Sequence, residues 1–266
     1  MAASDLTTTS AVKAWLGDVS TANDAAYSAL ATAVSRAIYS KLQRPQILPA
    51  NYTEVFDGRG ASRLVLKNWP VISVSSVTAD TAPIVASPNA LSYGWALEMV
   101  DPTPPSRPQS LYMRQDVFSR GVQNIAVTYA AGYQVVETQT VTAAAATASA
   151  PYGAWASNAG VTYAATGVAL SLVASAPAQG QYTVNAGAYG FNAADNGAAV
   201  VLTYGFVPAD LAQAATEWAA GRFKSQSYIG MRSKSLGGQE TVSYDTGAMP
   251  AFVDAAIQPF KRVTMC

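Results

Sequence analysis

Histidine is absent from the 266 residues, and cysteine occurs once, as Cys266. Without histidine the chain lacks the commonest general base and metal ligand near neutral pH. Histidine-dependent serine and cysteine triads are therefore excluded, and a zinc site has no ligand set. A single terminal thiol excludes an intrachain disulfide framework. Charge is also scarce: 16 basic residues balance 16 acidic ones, which leaves no overall positive field to draw nucleic acid onto the surface. No apolar run approaches the ~18 residues that a membrane-spanning helix requires. The opening Met1-Ala2-Ala3-Ser4-Asp5 has neither the basic nor the apolar character of a signal peptide, so the chain is expected to be made and kept in a cytoplasm.

What is present is a long, apolar, alanine-rich chain able to bury a substantial core in one or two domains. Soluble monomers usually carry more surface charge, because repulsion keeps them apart. So sparse a surface points to cover by neighbouring subunits.

Helical periodicity marks both ends. Val12, Trp15 and Leu16 share one side of a short helix from Ser10, with Thr9 or Ser10 as cap and Gly17 as stop. From Asn23 to Leu42 the residues Tyr27, Leu30, Val34, Ile38 and Leu42 recur at spacings of three and four, with Thr21 as cap and Pro45 at the exit. Near the other end Val207-Pro208-Ala209-Asp210 reads as a first helical turn, and Leu211, Ala214, Ala215, Trp218 and Arg222 share a face in a helix to about Ser227. A Gly/Ser-rich loop from Gly230 to Gly247 and a short helix from Pro250 to about Phe260 follow.

Between the ends the period is two. Tyr52 to Phe56, Arg63 to Leu66, Val71 to Val77, Ala96 to Val100, Leu111 to Arg114 and Asn124 to Tyr129 read as strands, with a tight turn at Asp57-Gly58 and Gly60. The proline-rich stretch Asp101 to Pro108 cannot pair as a central strand and reads as a loop. Residues 134–200 are rich in Ala, Thr, Gly, Val and Tyr, with Glu137 and Asp195 as their only charges. Strands are expected there at Thr138 to Thr142, Val161 to Tyr163, Ala169 to Val173, Gln181 to Asn185 and Ala198 to Tyr204. The similar pieces Val127 to Tyr133 and Val201 to Phe206 bracket this stretch, so it is read as a β module inserted into a discontinuous core of residues 1–133 and 201–266. The expected class is α+β: helices from both chain ends packed with a central antiparallel β core, plus an inserted all-β module.

No constellation carries chemistry. Glu54 and Asp57, and likewise Glu240 and Asp245, lack the spacing of a calcium loop or of a glycosidase pair and read as solvated turn residues. Gly58-Arg59-Gly60 lacks the third glycine of a dinucleotide fingerprint and precedes a strand, so it reads as a turn. No phosphate-binding loop is found. Arg222, Lys224, Arg232, Lys234, Lys261 and Arg262 could line a DNA passage, but no aromatic interleaving marks a stacking groove, and solvation or protein contact is the plainer reading. No catalytic, cofactor-binding or metal-binding residue is expected.

The order of the pieces resembles a known family. Tyr52-Thr53-Glu54-Val55-Phe56-Asp57-Gly58, Ser62-Arg63-Leu64-Val65-Leu66 and Trp69-Pro70-Val71-Ile72-Ser73-Val74-Ser75-Ser76-Val77 are similar to the strand block of bacteriophage head-tail connector (adaptor) proteins. Val207 to Leu211, Ile229 to Tyr244 and Met249-Pro250 resemble that family's final helix, loop and tail helix. The likeness covers about Leu6 to Tyr133 and Val201 to the end. The 134–200 insert departs from it and is similar to small β modules of phage structural proteins.

The resemblance implies a structural, non-enzymatic virion protein of the phage neck, assembled in the bacterial host cytoplasm. It implies a homo-oligomeric ring, of twelve copies, under the portal protein, meeting a tail-side neck or tail terminator protein. Genomic DNA would pass through its channel without sequence-specific binding. Portal contact is implied for Met231, Arg232, Lys234, Leu236, Phe252, Val253, Ile257, Phe260, Lys261 and Arg262. The alternative reading is a carbohydrate-binding, adhesion or decoration protein that presents Tyr152, Trp155, Tyr163, Tyr182 and Tyr189 from the insert.

Overall fold

Period-two patterning in the middle of the chain forms sheets that are antiparallel apart from the short parallel β11–β12 pair, and the chain ends form helices, so the class is α+β, as expected. The computed structural model describes residues 4–226, 233–236, 240–243 and 249–262. The chain divides into two compact units, Met1–Pro45 with Ala209–Lys261, and Gln46–Pro208 with Arg262–Cys266.

The strand unit begins with β1 (Ala50–Gly58), β2 (Arg63–Val65), β3 (Val71–Ala79), β4 (Ala82–Ile84), β5 (Gly94–Leu97), β6 (Ser110–Arg114) and β7 (Gly121–Ala131). These make two sheets, ordered β1-β7-β3-β4 and β2-β6-β5. Inward-facing Val77, Leu111, Phe118, Ile125, Val127 and Tyr129 form one core with Leu66 and Met113. β4 was not expected from the sequence. Its three residues are too few to show a period, and Asp80 and Thr81 make the turn before it with φ of 49° and 69°.

The second half holds β8 (Gln134–Thr140), β9 (Ala145–Thr147), β10 (Gly153–Tyr163), β11 (Ser171–Leu172), β12 (Gln181–Asn185), β13 (Ala188–Phe191) and β14 (Ala199–Pro208). They form sheets ordered β10-β14-β8 and β11-β12-β13-β9. The expected seam at residue 200 falls inside β14, which pairs along its length with β8 and β10. These ladder bonds tie Val201 to Phe206 to the module instead of to the helical end. Val207 and Pro208, expected in a first helical turn, close β14, whose last residues are buried. Where β7 gives way to β8, Gly132 has φ of 143°, and a Cβ there would lie 2.4 Å from the Leu48 carbonyl carbon. Pro49 also sits against Gly205, so the first and last stretches of this unit touch.

The helical unit holds α1 (Thr9–Leu16), α2 (Asp24–Leu42), α3 (Ala209–Ser225) and α4 (Ala251–Ile257). Thr8, one residue earlier than expected, caps α1 by accepting from the Ala11 N–H at 3.1 Å, and Gly17 ends it in the left-handed region. No side chain caps α2, but Asp24 in its first turn pairs with Lys13 at 2.7 Å and complements the positive end of the helix. Tyr27, Val34, Ile38 and Leu42 of α2 are buried as the periodicity predicts. α3 buries Leu211, Ala214, Ala215, Trp218 and Ala219, and Phe223 meets Tyr27 with ring centroids 4.6 Å apart. The expected Gly/Ser loop contains a hairpin, β15 (Ser233–Leu236) paired with β16 (Glu240–Ser243).

Candidate functional site

Of the ten residues implied in portal contact, Met231 and Arg232 lie outside the described residues, and Lys234 and Leu236 belong to β15. Val253 and Ile257 of α4, with Phe260 in the 3-10 turn after it, are at most 1% exposed. The three anchors are spaced at three and four residues, their surface is already buried in the subunit, and α4 contacts α3. Phe252 points the other way and is 46% exposed. Phe252 and the partly exposed Lys261 and Arg262 remain accessible to a partner.

The insert treats its aromatics similarly. Tyr182 and Tyr189 are buried with ring centroids 6.0 Å apart. Asn158 Nδ2 donates to Tyr182 Oη at 2.7 Å, and the Trp155 indole N–H donates to Tyr189 Oη at 3.3 Å. Tyr163 Oη donates to the buried Asp195 at 2.6 Å. Of the five candidate glycan platforms, Tyr152 alone is largely exposed, at 45%. The others are buried or half-buried and spend their polar tips on bonds within the insert.

The strand unit carries a groove of about 440 Å³ between residues 55–57 of β1 and 63–65 of β2. Leu66, Trp69, Phe118 and Ile125, all nearly inaccessible, form its floor, and Phe56 and Leu64 its walls. Arg59, Arg63, Lys67 and Arg262 line it, with Asp57 as the single lining carboxylate. Lys67 Nζ sits 4.9 Å from the Phe56 ring centroid. Arg63 is held by Ser110 Oγ at 2.8 Å and by Glu98 at 3.5 Å. Burial raises the Glu98 carboxyl, but its Ser110 hydrogen bonds and the nearby Arg107 and Arg63 outweigh burial and hold it below the usual range.

Glu54 is not the solvated turn residue expected. It lies in β1, where Tyr129 Oη donates to it at 2.8 Å and Asn68 Nδ2 at 2.9 Å, with Arg262 at 3.9 Å. Burial first, then the charge and hydrogen bond of Glu54, push the Tyr129 hydroxyl well above its ordinary value. Asp57 is exposed and accepts from the Gln123 N–H at 2.7 Å. Sequence reasoning passed over this groove, although Arg59, Arg63 and Lys67 recur every four residues across the β1–β2 turn. No cluster of three or more acidic or thiol side chains that could hold a metal occurs among the described residues.

No protein-family model matches the chain, and no curated protein matches it.

Proposed function

We propose that this chain is a head-tail connector subunit of a bacteriophage neck, a structural ring component that joins portal to tail and continues the DNA channel. The observation that carries this reading is the division of the chain: α1 and α2 from its start and α3 and α4 from its end share one helical unit, with the strand block between them. The segments that carry the family resemblance fall on β1, β2, β3 and the β14–α3 junction, in that order.

Exposed apolar side chains add support. Val19 is 96% exposed and Met99 90%, and Leu91 and Val122 are also largely uncovered on a chain of low charge. Such surface is stabilised when neighbouring subunits cover it. A closed ring needs two different complementary faces on each subunit.

Mass photometry of the purified chain with and without its cognate portal tests the proposal. A ring-sized complex that requires the portal is expected. A monomer that ignores the portal at micromolar concentration overturns the reading. Because Val253, Ile257 and Phe260 belong to the subunit core, the docking variants to compare are Phe252→Asp and Lys261→Glu, which keep that core intact.

A further inference from the structure

We infer that the β1–β2 groove is a docking site for an extended, acidic segment of a partner protein whose alternate side chains are apolar. The inference stands without the connector reading, and three features of the groove carry it.

The first is backbone geometry. β1 is the edge of the sheet β1-β7-β3-β4, and β2 is the edge of β2-β6-β5. Both strands present edge residues to the groove and pair with no further strand among the described residues. Edge strands carry unpaired N–H and C=O groups, which a peptide in β conformation satisfies by adding a strand.

The second is shape with polarity. The floor of Leu66, Trp69, Phe118 and Ile125 accepts apolar side chains from one face of such a peptide. A strand points alternate side chains to opposite faces, so the intervening residues face the rim.

The third is charge. The chain as a whole is neutral, yet four of its 16 cations line this one groove against one of its 16 acids. Arg63 and Arg262 are committed to Glu98 and Glu54, while exposed Arg59 and Lys67 make no ion pair among the described residues. Two cations on long stems at the rim of an apolar slot match carboxylates on the outer face of the bound strand. Nucleic acid fits less well, because the aromatic rings here are buried in the floor or covered by Lys67 and offer no stacking surface.

The test is fluorescence anisotropy of the full chain with a fluorescein-labelled short peptide that alternates Glu or Asp with Val and Phe. Saturable binding is expected, weakened at least about tenfold by Arg59→Glu with Lys67→Glu and weakened by added salt. A control peptide with Lys replacing every acid should not bind. Absence of binding to the unmodified chain overturns the inference, as does equal binding of the Lys control or unchanged binding by the double variant. So does duplex DNA that binds more tightly than the peptide and is lost in the same variant. Circular dichroism confirms that the double variant is folded. Should it not be, Val55→Asp, at an exposed β1 position lining the groove, is the replacement and should give the same loss.

Discussion

Tyr129 Oη donates a 2.8 Å hydrogen bond to Glu54 Oε2 across the β1–β7 pair, and the same oxygen accepts from the Asn68 backbone N–H at 3.1 Å. One phenol thus satisfies a carboxylate in an edge strand and a buried backbone donor. Tyr129→Phe keeps the ring and removes both of these bonds, along with a longer one of 3.4 Å from Asn68 Nδ2. A loss of about 1.5–3 kcal/mol is expected, since one of the bonds is to a charged group and a buried donor is left unmade. Urea unfolding followed by tryptophan fluorescence measures it, and a loss within about 0.5 kcal/mol, the range of an ordinary surface substitution, would show the network to be energetically idle.

The same tyrosine gives a pH dependence. Its folded-state pKa is raised above the unfolded value of 10.0, so the neutral form is favoured by folding. The unfolded state then loses its proton first. Stability from this group is fully present below about pH 10 and falls as pH rises through the folded value, by at most about 1.4 kcal/mol per pH unit. Tyr129→Phe should therefore be less stable than the unmodified chain at pH 8 and show a shallower decline between pH 10 and 12. Parallel declines would contradict the assignment.

Two residues of the short helix α4 should respond differently to truncation. Ile257→Ala opens a cavity at a buried position and is expected to cost about 2–5 kcal/mol. Phe252→Ala removes an exposed ring and should stay within about 0.5 kcal/mol in the isolated subunit. Thermal unfolding of the two variants separates these cases. Equal losses would mean that Phe252 is also part of the core.

Gly132 allows a third comparison. Its φ of 143° and the 2.4 Å approach of a hypothetical Cβ to the Leu48 backbone leave no room for alanine. Gly132→Ala should destabilise the strand unit by several kcal/mol or abolish soluble expression, whereas Gly167→Ala, with nothing within 4 Å, bears only the cost of its positive φ. Limited proteolysis of the pair reports the difference.

The helices were legible because their apolar residues recur at three and four: Tyr27, Val34, Ile38 and Leu42 are buried as read, while Leu30 is half-buried. Six of the longer strands were also legible from alternation. Short β4, β9 and β13 were not, since three or four residues do not define a period. The junction at Pro208 misled for a different reason. Proline suits a first helical turn, but it also suits the end of a strand, and the ladder of β14 with β10 decides between them. The seam placed at residue 200 came from a resemblance between Val127–Tyr133 and Val201–Phe206, which turn out to lie on strands of different sheets. Burial of Val253 and Ile257 was beyond the sequence, because an amphipathic helix looks the same whether its partner is its own chain or another. The groove was hidden because its floor and rim come from residues far apart in the chain, from Val55 to Arg262.

The touching of Pro49 and Gly205 bears on the order of folding. Pairing α2 with α3 directly from an unfolded chain would close a loop spanning residues 46–208, an entropic penalty of about 4–5 kcal/mol by polymer scaling. Once the strands have folded, that loop is already closed, and residues 45 and 209 become the ends of a short tether. Helix assembly is then close to a local event. The strand unit should gain hydrogen-exchange protection first during refolding, with the terminal helices following as a dependent second step.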